Sequence, residues 1–214
     1  MQVPPPSPEL ISQLAESDRA ERAQAARILF HHATIQIAWV LNTWRKDEVL
    51  EGLMVQEWIV RPRQETIIHP RLTAGLAVLP RTFEKIRAAN GSPPLANAPA
   101  DQDVIEFELE FPGEVVQHVR LDILTTKAPG GGGAIDRFLN KFGEGIQQVE
   151  IDVTDVNSAT EILRTRYQTE PVYPATRPGA NDTRVNFFLI TTWNGKKALV
   201  ELVEQPKITR HKGS

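Results

Sequence analysis

The chain has 214 residues, 41% hydrophobic and 24% charged, which suits one large globular domain or a domain with an extension. A formal net charge of −3 leaves no electrostatic footprint for nucleic acid or an anionic membrane surface, so neither is expected as a partner. No cysteine is present, which excludes disulfides, thiolate zinc sites and cysteine nucleophiles.

No apolar run reaches the roughly 18 residues of a membrane span, and "MQVPPPSPEL" lacks the basic and apolar stretches of a secretory signal. With the missing cysteines, this makes a cytoplasmic location the expectation. "PPPSP" (4–8) reads as a stiff lead-in, with Ser7 and Pro8 as N-cap and first turn of a short helix. Asp18 and Glu21 form a capping box for an alanine-rich helix reaching about Leu29. From Thr34, "TIQIAWVLNTW" alternates and is β-branched or aromatic, which predicts a strand. "GLMVQEWIVRP" (52–62) predicts another, with a helix through "DEVLEGLMVQEW" as its competitor. Residues 1–68 thus form a mixed extension of helices and possible strands.

Beyond it, "RLTAGLAVLP" (71–80) is a strand and "RTFEKIRAANG" (81–91) a helix closed by Asn90-Gly91. A proline-rich loop follows. "DVIEFELEFPG" and "VVQHVRLDILTT" then alternate as a hairpin turning at Pro112-Gly113. "APGGGGAID" (128–136) reads as a flexible connector ahead of a short helix that carries Phe138, Leu139 and Phe142. The order then repeats: strand "IQQVEIDV", helix "NSATEILRTRY", a loop with Pro171 and Pro174, strand "RVNFFLITTW", turn Asn194-Gly195 and strand "ALVELVEQ". Each half is read as β-α-β-β-β, and Asp122 and Glu201 occupy the same place in their last strands. The boundaries are 69–127 for the first module, 128–143 for linker and helix, 144–206 for the second module, and 207–214 for a disordered polar tail.

"FLNKFGEGIQQVEIDVTDVNSATEIL", "TRPGANDTRVNFFL" and "ALVELVE" together resemble the vicinal oxygen chelate (glyoxalase/bleomycin-resistance) superfamily. The likeness is nearest to methylmalonyl-CoA epimerases and lactoylglutathione lyases. It is good over 134–205, weaker over 71–127 and absent over 1–68. The resemblance implies an α+β fold in which two βαβββ modules form a cupped mixed sheet, here with an N-terminal helical or mixed extension. It also implies a divalent metal in the cup (Mg, Mn, Co, Ni or Zn), held by side chains from the first and last strands of each module. Such an ion polarises substrate oxygens and acidifies an adjacent C–H. Carried over position by position, the metal ligands would be Gln148, Glu201, Asp122 and His69. Strand register puts the fourth position near Thr73, whereas His69 follows from equal spacing, since His69 to Asp122 and Gln148 to Glu201 both span 53 residues. Gln147 and Gln148 stand where an epimerase-like sequence carries two histidines.

Strand parity adds detail. Glu201 shares a face with Leu199 and Val203 in a strand apolar on both sides, so its carboxylate needs a partner or a function. Asp122 shares its face with Arg120, an available salt-bridge partner. Gln148 shares its face with Glu150 and Asp152, the pattern of a wet cavity wall or of a solvated surface. Glu201 and Glu150 are the catalytic candidates, with Glu106 or Glu108 as further proton movers; Arg177 and Gln147 are the substrate contacts. The first functional reading is a metal-dependent epimerase, isomerase or lyase acting on a small carbonyl or thioester substrate. The alternative is a metal-free small-molecule-binding protein of the same fold with a degenerate metal site. A homodimer is expected in either case.

Overall fold

The computed structural model describes residues 8–60, 66–112 and 118–206. The proline-rich lead-in, the hairpin turn at Gly113 and the C-terminal tail lie outside them. Seven strands form one mixed, curled sheet with helices on its outer face, the α+β architecture read from the sequence. Its first half comprises β3 (Leu72–Ala77), α4 (Pro80–Ala89), β4 (Ile105–Phe111) and β5 (Val119–Thr125). Its second half comprises β6 (Gly145–Val153), α6 (Val156–Tyr167), the two-residue β7 (Arg177–Pro178), β8 (Arg184–Thr191) and β9 (Lys197–Glu204). In each half the first strand runs parallel to the last, β3 to β5 and β6 to β9, and β3 and β6 join the halves antiparallel. The order β4-β5-β3-β6-β9-β8-β7 leaves β4 and β7 at the edges.

The three strands expected after each helix are not all present. Among the described residues no strand stands between α4 and β4, and its counterpart β7 is two residues long. Pro93, Pro94 and Pro99 occupy the first of these segments, and proline has no N–H to give to a ladder. The glycine-rich connector is also more ordered than its composition implies. Gly130 and Gly132 each donate a backbone N–H to the Asp136 carboxylate, which opens α5 (Ala134–Phe142).

The extension departs most from the sequence reading. After α1 (Pro8–Ser12), a single helix α2 (Arg19–Trp44) runs for 26 residues through the stretch predicted as a strand. Asp18 caps it as expected, its side chain accepting from Ala20 N. The alternation of Ile35, Ile37 and Trp39 is a subset of a longer helical stripe. Leu29, Phe30, Ala33, Ile37, Leu41 and Trp44 recur at three- and four-residue steps and are all buried. That stripe packs on the outer face of β3, β5 and β6, over the join between the halves. Next, both competing readings hold on consecutive segments: α3 (Glu48–Leu53), capped by Asp47, and then β1 (Gln56–Val60), which pairs with β2 (Thr66–Pro70) as a separate hairpin.

Candidate active-site cup

Because strand side chains alternate, the outer face takes Leu72, Ala74 and Leu76 into the helix-covered core while Arg71 and Thr73 point inward. The same parity sends Glu106 and Glu108 of β4, Asp122 of β5, Gln148, Glu150 and Asp152 of β6, and Glu201 of β9 into one cavity of about 870 Å³. Register sets these groups in rows. Gly75 lies opposite both Asp122 and Gln148, and Glu150 lies opposite both Thr73 and Glu201.

Two glutamines that adjoin in sequence both reach this cavity. The β3–β6 ladder pairs Gly75 with Gln148 but Leu76 with Ile146, so Gln147 is the extra residue of a β-bulge. A bulge re-aims its side chain, and Gln147 lines the cavity with its Oε1 buried and unpartnered. Gln148 is 8% exposed, and its Nε2 donates to Glu201 Oε2 at 2.5 Å and to Glu150 Oε1 at 3.1 Å. Gly75 makes room for it: a Cβ there would stand 2.5 Å from Gln148 Cγ.

The carboxyls share a crowded, mutually repulsive setting. Burial pushes Glu150 up to about 8; the Gln148 amide opposes the rise, and Glu106, Asp152 and Glu108 add to it. Glu106 is pushed up to about 6 by burial, with Lys127 opposing. Burial, then repulsion from their acidic neighbours, holds Asp122 and Glu201 well above the carboxylate range. Glu108 and Asp152 are raised by burial against the pull of Arg71 and Arg120. Arg71 Nε lies 3.0 Å from Asp152 Oδ2. Arg120 pairs with Glu57 Oε1 at 2.5 Å and with Glu110 at 3.4 Å, so Asp122 does not have it as an ion-pair partner.

Of the residues named from sequence, Gln148, Glu150, Glu201, Asp122 and Gln147 come together in the cup. His69 does not. It lies on the separate β1–β2 hairpin opposite Glu57, outside the cavity lining, and Thr73 holds the place that strand register gives. Arg177 stands at the cavity wall, paired with Asp101 at 2.6 Å and lying 4.6 Å over the Tyr173 ring. Arg71 and Asp152 were not singled out from sequence as site residues, although the two-residue period of β3 and β6 places them on the same face as Thr73 and Glu150.

Among the described residues, no three His, Cys, Asp or Glu groups are arranged as a preformed metal centre. Donor chemistry nevertheless suits a hard divalent ion: Asp122 and Glu201 offer carboxyl oxygens, and Gln148 an amide, with no histidine or cysteine among the described lining residues. Such an ion would need the Gln148 carbonyl turned inward, because Nε2 now faces the carboxyls.

The curled sheet of paired halves has the fold of solved methylmalonyl-CoA epimerase structures. A methylmalonyl-CoA epimerase in complex with methylmalonyl-CoA and ammonium matches with a TM-score of 0.50 at 20% identity, over 72% of this chain and 98% of that one. A Streptomyces coelicolor methylmalonyl-CoA epimerase variant in complex with 2-nitronate-propionyl-CoA matches at 0.50 with 22% identity, over 63% and 93%. A selenomethionine methylmalonyl-CoA epimerase gives 0.51 at 18%, over 63% and 94%. At these identities the likeness establishes the fold. No family model and no curated protein matches the chain. Among the described residues, no helix is long and apolar enough to cross a membrane.

Proposed function

We propose that the protein is an epimerase, isomerase or lyase that moves a proton on a carbon next to a carbonyl or thioester. The observation that carries this reading is the split between two carboxyls of one cavity on different strands, Glu106 near 6 on β4 and Glu150 near 8 on β6. At neutral pH, Glu106 is ionised and accepts a proton from carbon. Glu150 is protonated and donates a hydrogen bond to the oxygen on which charge develops. Gln148 fixes Glu150 and Glu201 through its amide, and Gln147 Oε1 accepts a hydrogen bond from the substrate. Leu199, Val203 and Phe187 give the cup an apolar wall that limits water. Asp122, Glu201 and the turned Gln148 amide would hold a hard divalent ion. When bound, such an ion supplies positive charge for the developing oxyanion.

The names of the structurally similar proteins make acyl-CoA thioesters the first substrates to try. The test is deuterium uptake at the α-carbon of propionyl-CoA and methylmalonyl-CoA in heavy water, with and without added Mg, Mn, Co, Ni or Zn. Uptake by the protein supports the reading; none under any condition overturns it. A second reading, metal-free binding or catalysis, is favoured by the Gln148 Nε2 contacts to both carboxyls. Metal analysis of protein purified without chelator separates the two.

A further inference from the structure

The two edges of the sheet are tied together by contacts between loops. Residues 93–103 run beside β4, where Ala96 N donates to Glu106 O at 2.9 Å. The same loop meets the segment around β7 at three points. Asp101 pairs with Arg177 at 2.6 Å, and Gln102 Nε2 donates to Pro178 O at 2.9 Å. Asn97 and Asn181 bind reciprocally: Asn97 N donates to Asn181 Oδ1 at 2.9 Å and Asn181 N donates to Asn97 O at 3.0 Å. Asp101, Gln102, Arg177 and Asn181 also line the cavity. The seam therefore turns an open cup into a closed ring at its wall.

The seam differs from the rest of the ring. Elsewhere adjacent strands are joined by backbone ladders, but here the two edges are joined by polar contacts in loops. Ser92 (φ 53), Asn181 (φ 52) and Asp182 (φ 63) hold left-handed backbone at its ends, a conformation costly for residues other than glycine. At Gly179, a Cβ would meet Thr183 Oγ1 at 2.3 Å, so the second loop folds tightly on itself. A join made of a few polar loop contacts is the kind that can open locally while the strands stay paired.

We propose that this seam is a clasp whose opening admits ligands to the cup, making it a size filter independent of which ligand binds. Because the chain has no cysteine, Leu199→Cys puts a single thiol on the cavity wall. Its labelling by N-ethylmaleimide and by the bulkier fluorescein maleimide is timed with the clasp intact and in Asp101→Asn/Gln102→Ala, each with circular dichroism as a folding check. The loosened clasp should speed the bulky reagent about tenfold and leave the small one within about twofold. Equal rates for the bulky reagent with clasp intact and loosened, or equal acceleration of both reagents, would overturn the proposal. Gln147→Cys, on another strand of the wall, gives the same readout should Leu199→Cys not fold.

Discussion

Gln148 Nε2 reaches Glu201 Oε2 at 2.5 Å, joining the first and last strands of the second half across 53 residues of sequence. The same nitrogen donates to Glu150, so one amide holds a buried carboxyl and a half-buried one. Gln148→Leu removes both N–H donors and leaves the buried Glu201 and the half-buried Glu150 without that partner. It should destabilise the fold by about 2–4 kcal/mol in urea unfolding at neutral pH. Gln148→Leu with unchanged stability would mean that the amide is not holding the cluster.

Gly75 is required by that arrangement. Gly75→Ala places a methyl 2.5 Å from Gln148 Cγ, forcing the side chain off both carboxyls. A cost of about 1–3 kcal/mol is expected, with a matching loss of any turnover. A crystal structure of the variant with Gln148 unmoved would contradict this.

Stability should depend on pH with an unusual sign for an acidic cluster. Glu106 and Glu150 rise from 4.5 to about 6 and about 8, so the folded state binds protons more tightly than the unfolded chain. Their contribution is full below about 4.5 and is lost as pH rises through about 6 and then about 8. The loss should be on the order of a few kcal/mol, read as a falling urea midpoint. A divalent ion in the cup would flatten the decline by neutralising the ionised groups.

The same pair sets a rate profile. Catalysis that uses ionised Glu106 and protonated Glu150 should be bell-shaped, with limbs near pH 6 and pH 8. Glu106→Gln should abolish the acid limb together with most of the activity, by about a hundredfold or more. Activity flat across both limbs would exclude the pair.

Much of the cup was legible in the sequence, because strand parity is local information. The alternation in "IQQVEIDV" puts Gln148 and Glu150 on one face, readable as cavity wall or solvated surface. That in "ALVELVEQ" puts Glu201 in a strand apolar on both sides, and all three line the cavity. What failed depended on information beyond the local pattern. In α2, Ile35 and Ile37 alternate like strand residues, yet the stripe through Leu29, Phe30, Ala33 and Ile37 continues at helical spacing and packing decides. His69 matched by residue count, but counting says nothing about which sheet a hairpin joins. Gln147 entered the site through a bulge, which no alternation pattern encodes.

The most direct measurement is carbon-13 NMR titration of the glutamate side-chain carboxyls, which needs no ligand. Two carboxyls should titrate near 6 and near 8, the first absent from Glu106→Gln and the second from Glu150→Gln. Both titrating in the ordinary range, near 4.5, would contradict the account.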